Sequence, residues 1–298
     1  MYRKIRFLLI LSCLAVFVQA KAQFDDPKTI EIGPHVGLSY YLGDINPFTP
    51  LAQSDLGFGG VVRFNLNNRW SFRFDYTHAK VKGSDEVIQW RPERGLSFTT
   101  NINDFSLVAE FNFLEYYTGN PKRNVSPYIF GGISVFQYTP YQRIFDDKIG
   151  LDTLVNLRNY KLDTIYRSTK PGSDELTFSS KLAEFFGGRG NKVSVSIPFG
   201  VGVKFALSRH MAATVEWRMQ KAFTDYLDGI GGVYPNDNQH AIVTVDGVDY
   251  DLSDPTGNFH SGQQRGDAAF NDWFGMLRIS LTWKFNLPDG RGCNLSKF

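Results

Sequence analysis

Hydrophobic and polar residues alternate one by one along much of this chain. In "RWSFRFDYTHAK" (69–80) Trp70, Phe72, Phe74 and Tyr76 share one face, and Ser71, Arg73, Asp75 and Thr77 share the other. A period of two marks a β-strand whose two faces meet different surroundings. The same alternation predicts eight strands: Ile30–Leu42, Leu56–Leu66, Trp70–Val81, Thr100–Leu114, Ser126–Tyr138, Lys192–Leu207, Met211–Phe223 and Trp273–Phe285. Each reaches the ~9–11 residues a tilted strand needs to cross a bilayer. Strands of soluble domains cluster near ~5–6 residues. Pro198, inside the sixth, removes a ladder donor and predicts a bulge or a strand end there.

The connections are 13, 3, 18, 11, 53, 3 and 49 residues long. Long alternates with short, as in a meander that turns tightly at one end and carries long loops at the other. Two assignments of the faces compete. In a lipocalin-like soluble barrel the large apolar side chains would fill the inside, but eight strands enclose too narrow a space for them. Turned inside out, Phe72, Phe74, Ile279 and Leu281 meet lipid, and Arg63, Arg73, Asp75, Glu110, Lys204, Glu216, Arg218, Arg278 and Lys284 share the interior. The predicted fold is all-β, an eight-stranded up-and-down antiparallel transmembrane β-barrel with long outer loops. Trp70, Tyr116, Tyr117, Trp217, Trp283 and Phe285 are expected to form its aromatic girdles.

The N-terminus has its own pattern. Arg3, Lys4 and Arg6 precede a largely apolar run, Phe7–Ala20, and "AKA" precedes Gln23. This is the layout of a secretory signal peptide cleaved after Ala22, too short for a transmembrane helix. The expected organisation is a signal peptide over 1–22, an outer-membrane barrel over 23–285 and a periplasmic tail over 286–298. Removing Arg3, Lys4, Arg6 and Lys21 lowers the 32 basic residues to 28 against 30 acidic ones and turns the net charge from +2 to −2. No basic stripe is left to suggest nucleic acid.

Candidate chemistry is sparse. His35, His78, His210, His240 and His260 are scattered without metal-ligand spacing. "DGVDYDLSD" gathers Asp246, Asp249, Asp251 and Asp254, oxygen ligands of the kind calcium takes, but it lacks the EF-hand spacing with its closing Glu and reads rather as a solvated, turn-rich loop. "SSKLAEFFGG" (179–188) has the pattern of a short amphipathic helix. No Ser-His-Asp set, P-loop or glycine fingerprint occurs. No catalytic residue, cofactor or metal is therefore expected, and the chain reads as a non-enzyme. Cys293 is the sole cysteine beyond the leader. In an oxidising periplasm it implies an intermolecular disulfide or a free thiol, and with Arg291 it is a candidate partner contact in the tail.

"QKAFTDYLDGIGGVYPN" (220–236) resembles the pattern (R/K)-x-F-T-D-Y-L-D-x-(V/I)-x-x-x-Y of the PorG family. "YYLGDIN" (40–46), "SPYIFGGISVFQYTP" (126–140) and "IPFGVGVKF" (197–205) are similar to the same family. The resemblance implies an outer-membrane barrel of the type IX secretion system, a structural component anchoring periplasmic ring proteins of the PorK and PorN type. Its partners would be those ring proteins and outer-membrane lipid. Thr224, Asp225, Tyr226, Leu227 and Asp228 then become candidates for partner binding or loop ordering, the alternative being that Tyr226 and Leu227 pack the barrel rim. Two rival functions stay open: a lipid-modifying enzyme using His78 and the last loop, and a surface adhesin or binding barrel using the two longest loops.

Overall fold

The computed structural model describes residues 28–116, 124–146, 150–157, 192–236, 240–267 and 271–287. The leader and cleavage at Ala22 expected from the sequence, Tyr117, the helix expected at 179–188, and Arg291 and Cys293 lie outside the described residues.

The chain forms β1 (Thr29–Leu42), β2 (Asp55–Asn65), β3 (Trp70–Ser84), a one-turn helix α1 (Asp85–Ile88), a 3-10 turn (Pro92–Arg94), β4 (Ser97–Asn112) and β5 (Val125–Asp146). Then come β6 (Leu151–Asn156), β7 (Lys192–Ala206), β8 (Met211–Ala222), β9 (Ile242–Val245), β10 (Val248–Asp251) and β11 (Trp273–Asn286). In the order β1, β2, β3, β4, β5, β7, β8, β11 each strand pairs antiparallel with the next. β11 returns to β1 from Thr29↔Asn286 to Leu42↔Trp273 and closes the ring. All eight expected strands are present, in an up-and-down barrel with no free edge.

Three local features depart from the sequence expectation. β5 runs past Tyr138 to Asp146 and pairs there with β6, so part of the 139–191 loop is a hairpin rising from the barrel. β9 and β10 form a second hairpin at Asp246–Gly247, where φ is +52° and +81°. A two-residue Asp-Gly loop favours that conformation because its twist matches that of the flanking strands. Pro198 makes neither a bulge nor a strand end. β7 pairs through it with β8, Pro198 opposite Gln220. Toward β5 the register is the same on both sides, Gly131↔Phe199 and Ser134↔Ser196, with the ladder open only between them. Pro34 interrupts the β1–β11 ladder in the same way, between Ile32↔Trp283 and His35↔Ser280. The missing donor is absorbed by a local gap without an extra residue.

The two faces part as the alternation requires. Phe72 and Phe74 are each 47% exposed and Ile279 is 57% exposed, with Leu281 half-buried on the same outer face. Arg63, Asp75 and Glu110 are 0% exposed. An apolar outside around an ionic inside, with every barrel ladder closed on itself, is the architecture of a transmembrane β-barrel. The protein is an outer-membrane barrel that crosses the membrane with its strands.

The girdle assignment needs correction at two aromatics. Tyr116 is buried, its ring 5.7 Å from the Lys204 ammonium. Trp217 stands mid-way along β8, where an indole N–H would lack a partner in lipid. It donates that N–H to the Tyr40 hydroxyl. Tyr40 in turn donates to the Arg218 carbonyl at 3.1 Å. Its ring lies across Gly275, where a Cβ would come within 2.5 Å of it.

Candidate functional site

The site is the lumen, which fills in two layers. Inward positions of β3 read Arg73, Asp75, Thr77, Ala79, Val81; those of β4, followed toward the same end, read Glu110, Val108, Ser106, Asp104, Ile102, Thr100, Phe98. On both strands charge occupies the half nearer the short turns, and apolar side chains the half nearer the long loops.

The charged layer is one continuous ion-pair network. Arg63 reaches Glu31 at 2.7 Å and Glu110 at 2.9 Å, and the Lys204 ammonium lies 2.6 Å from Glu110. Arg73 connects this group to the next, touching Glu110 at 2.5 Å, Glu216 at 2.6 Å and Asp75 at 3.0 Å. Arg278 bridges Asp75 at 3.1 Å and Glu216 at 2.8 Å; Arg218 bridges Asp75 at 3.0 Å and Asp104 at 3.2 Å. The Tyr128 hydroxyl donates to Glu216 at 2.6 Å. Glu31, Asp75, Asp104, Glu110 and Glu216 thus face Arg63, Arg73, Lys204, Arg218 and Arg278 as five anions and five cations, all buried. Buried charges are tolerated only when paired and hydrogen-bonded, and apart from Arg73–Asp75 within β3 every pair here joins two strands. Gly200 and Gly202 of β7 make the layer fit, since a Cβ there would come within 2.8 Å of the Phe130 ring and 2.7 Å of the Tyr128 ring.

The apolar layer is a stopper. Leu227 and Ile230 pack with Val81, Phe98, Ile102, Phe136 and Phe274 in one buried cluster. The "TDYLD" segment delivers them. Thr224 meets the Tyr138 hydroxyl at 3.1 Å, and the Leu227 carbonyl accepts from Thr100 Oγ1 at 2.5 Å. Leu227 N–H donates to Asp272 at 2.9 Å and Ile230 N–H to Asp228 at 2.8 Å. Thr224, Asp225, Leu227 and Asp228 are buried, and Tyr226 is half-buried.

Tyr41, Arg94 and Arg265 carry much of this arrangement and gave no signal in the sequence. The Tyr41 hydroxyl lies 2.6 Å from Asp228 and 2.7 Å from Asp272, and accepts the Asp44 N–H at 3.1 Å. One hydroxyl donates one proton, so the second short contact needs a protonated carboxyl. Arg94 pairs with Asp85 at 2.6 Å and donates to the carbonyls of Asp44 and Arg265 at 3.0 and 2.9 Å. Arg265 donates to the Ser253 carbonyl at 2.8 Å. Together they tie the loops after β1, β3 and β8 across the mouth.

Burial pushes the Asp228 carboxyl up to about 8, with the nearby Asp44 adding to it, and holds Asp272 well above the usual carboxylate range. Between the ordinary carboxyl range and about pH 8 the unfolded chain releases a proton that folded Asp228 keeps. The stopper is therefore most stable in acid and loses stability as pH rises through that window. Hydrogen exchange at the Leu227 and Ile230 amides, corrected for intrinsic rates, should show protection falling from pH 5 to pH 8. Asp228→Asn should weaken the dependence and leave the part that the raised Asp272 carboxyl carries.

The remaining candidates stay apart. Asp249 accepts from Thr244, Asp251 pairs with His240, and Asp254 caps the Gly257 and Phe259 amides, so the four aspartates of 246–254 do not converge. Among the described residues no group of three or more His, Cys, Asp or Glu could hold a metal ion. His78 faces outward, its Nδ1 2.8 Å from Asn103 Oδ1. Above the rim a cleft of about 760 Å³ opens between α1, the end of β5 and the β9–β10 hairpin, with Lys82, Arg143, Phe145 and Tyr250 on its walls.

A family model described as "Domain of unknown function (DUF6089)" matches residues 5–154, just over half of the 298 residues. No curated protein matches the chain. Among solved structures it is similar to the N-terminal β-barrel domain of Pseudomonas aeruginosa OprF, at 12% identity over 86% of this chain and 97% of that one, with TM-score 0.36. It is also similar to a major outer membrane protein of Thermus thermophilus, at 9% identity over 87% and 99%, TM-score 0.39. A third is the E. coli Outer Membrane Protein W, at 11% identity over 88% and 100%, TM-score 0.33.

Proposed function

The chain belongs to the family of domains of unknown function DUF6089, and from there we propose that it is a structural outer-membrane component of the type IX secretion machinery, anchoring a periplasmic ring. The observation that carries this reading is the doubly filled lumen. An ionic layer and an apolar stopper leave a rigid membrane body suited to holding something in place. The PorG-like "TDYLD" segment supports it from another side, because it is the segment that builds the stopper. Both chain ends leave the barrel beside the short turns: Thr29 pairs with Asn286, and Leu287 N–H donates to the Lys28 carbonyl at 3.1 Å. In outer-membrane barrels that end faces the periplasm, where ring proteins of the PorK and PorN type would be met. On this reading the protein carries no chemistry of its own.

Deleting the gene and measuring three things in one strain tests it. Export of cargo bearing the C-terminal signal should stop, ring proteins should leave the outer-membrane fraction, and lipid A should be unchanged. Normal export, or altered lipid A, would overturn the proposal. The cleft of about 760 Å³ favours a second reading, a barrel binding an external ligand. Normal export with lost surface binding would select it.

A further inference from the structure

Charged residues on the outward faces of the barrel strands are few, and they gather at one end. Among the described side chains they are Lys80 and Lys82 of β3, Arg143 of β5 and Lys221 of β8, all toward the long loops. Three have company: Arg143 is held by Asp152 at 2.7 Å, Lys82 lies 3.3 Å from Asp55, and Lys221 lies over the Trp273 ring at 5.7 Å. The β3 pair is distinguished by its setting. The outward face of β3 reads Trp70, Phe72, Phe74, Tyr76 and then turns polar at His78, Lys80 and Lys82, while the inward Ala79 and Val81 between them are buried.

The neighbouring strand turns polar at the same height. Tyr76 stands opposite Phe105, with ring centroids 4.9 Å apart; His78 stands opposite Asn103, Lys80 opposite Asn101 and Lys82 opposite Thr99. Lys80 lies four residues above Tyr76, about 13 Å along a strand rising ~3.3 Å per residue and so about 10 Å along the membrane normal at a tilt of ~35–45°. Tyr76 and Phe105 are the last large apolar pair of this wall, so Lys80 stands where the apolar band gives way to the headgroup zone. Lys80 is exposed, and the Lys82 side chain is 41% exposed although 3.3 Å from Asp55. Asn103 is already oriented: its Oδ1 accepts the Tyr76 hydroxyl at 3.2 Å and faces His78 Nδ1 at 2.8 Å. Those contacts engage the Asn103 oxygen and His78 Nδ1, so the Asn103 amide nitrogen and the far nitrogen of His78 are the groups left to meet a ligand.

We propose that the outer wall of β3 and β4 binds the phosphorylated headgroup of an outer-leaflet lipid. The Lys80 and Lys82 ammonium groups hold the phosphate, and the Asn103 amide and His78 imidazole take adjoining oxygens. The long-loop end faces the outer leaflet, and ammonium groups set at headgroup depth attract anionic lipid. The site is independent of the anchoring role.

The test uses the refolded barrel in detergent micelles, with diphosphorylated lipid A, its phosphate-free form and inorganic phosphate as probes. Retained lipid is read by native mass spectrometry. Two lysines contributing at headgroup depth predict about tenfold or greater loss of diphosphorylated lipid in K80Q/K82Q. K80R/K82R should restore retention, and K221Q, on another part of the rim, should match wild type. The heat-dependent gel mobility of each variant confirms a folded barrel. Equal retention by wild type and K80Q/K82Q would overturn the proposal, as would equal retention of the phosphate-free lipid. Displacement of the lipid by millimolar inorganic phosphate would overturn it too, in favour of a free-phosphate site.

Discussion

Asp75→Ala is expected to cost the barrel about 3–5 kcal/mol, the range for removing one partner from a buried ion pair. Asp75 accepts from Arg73 and Arg218, each at 3.0 Å, and from Arg278 at 3.1 Å, and it is 0% exposed. Its removal leaves three guanidinium groups facing one another in a space they cannot leave. Glu216 and Asp104 hold parts of that charge and cannot take all of it. Urea unfolding in micelles, followed by the gel shift between folded and unfolded barrel, measures the loss. Removing Arg218 as well should recover part of it, because the second change takes away an orphaned cation. A cost below about 1 kcal/mol for Asp75→Ala, the scale of exposed pairs, would mean that the lumen screens its charges as water does.

Ile279→Arg should be nearly as damaging for the opposite reason. Ile279 is outward on β11, between Val36 of β1 and Val215 of β8, all apolar and exposed to the membrane. An arginine on the lipid face near the midplane of an outer-membrane barrel costs about 2–4 kcal/mol, falling toward zero at the interfaces. The same substitution at Phe285, close to the end of β11, should therefore cost clearly less. The pair of measurements reads depth as well as direction. Equal costs at the two positions would contradict the placement of Ile279 in the hydrocarbon.

Much of this was legible in the chain, because alternation is a local property. Trp70 to Tyr76 announces its strand without help, and all eight barrel strands followed from the same period. The β9–β10 hairpin was legible too, in the Asp246–Gly247 pair between apolar residues, although the stretch was read only as a turn-rich loop and not as two paired strands. Pro198 misled because a missing donor was expected to need a bulge or a strand end, whereas neighbouring bonds carry the strand across the gap. The stopper could not be read. Tyr41 meets Asp228 and Asp272 from 187 and 231 residues away, and Arg94 meets the Arg265 carbonyl from 171. Such partners become visible only when the ring closes. The "TDYLD" segment was recognisable as a pattern, yet nothing in its composition said that Leu227 would enter the barrel mouth.

The central claim is that the barrel is inside out, with aromatics in lipid and charge in the lumen. Trp217, 50% exposed at the middle of β8, tests it most directly. Replacing Trp70, Trp90, Trp273 and Trp283 by phenylalanine leaves it the sole fluorophore among the chain's 5 tryptophans. In bilayers containing lipids brominated at mid-chain, its emission should be strongly quenched, and iodide in the water should have no effect. Quenching by iodide alone, or by neither reagent, would place Trp217 in water or in a protein core and contradict the account.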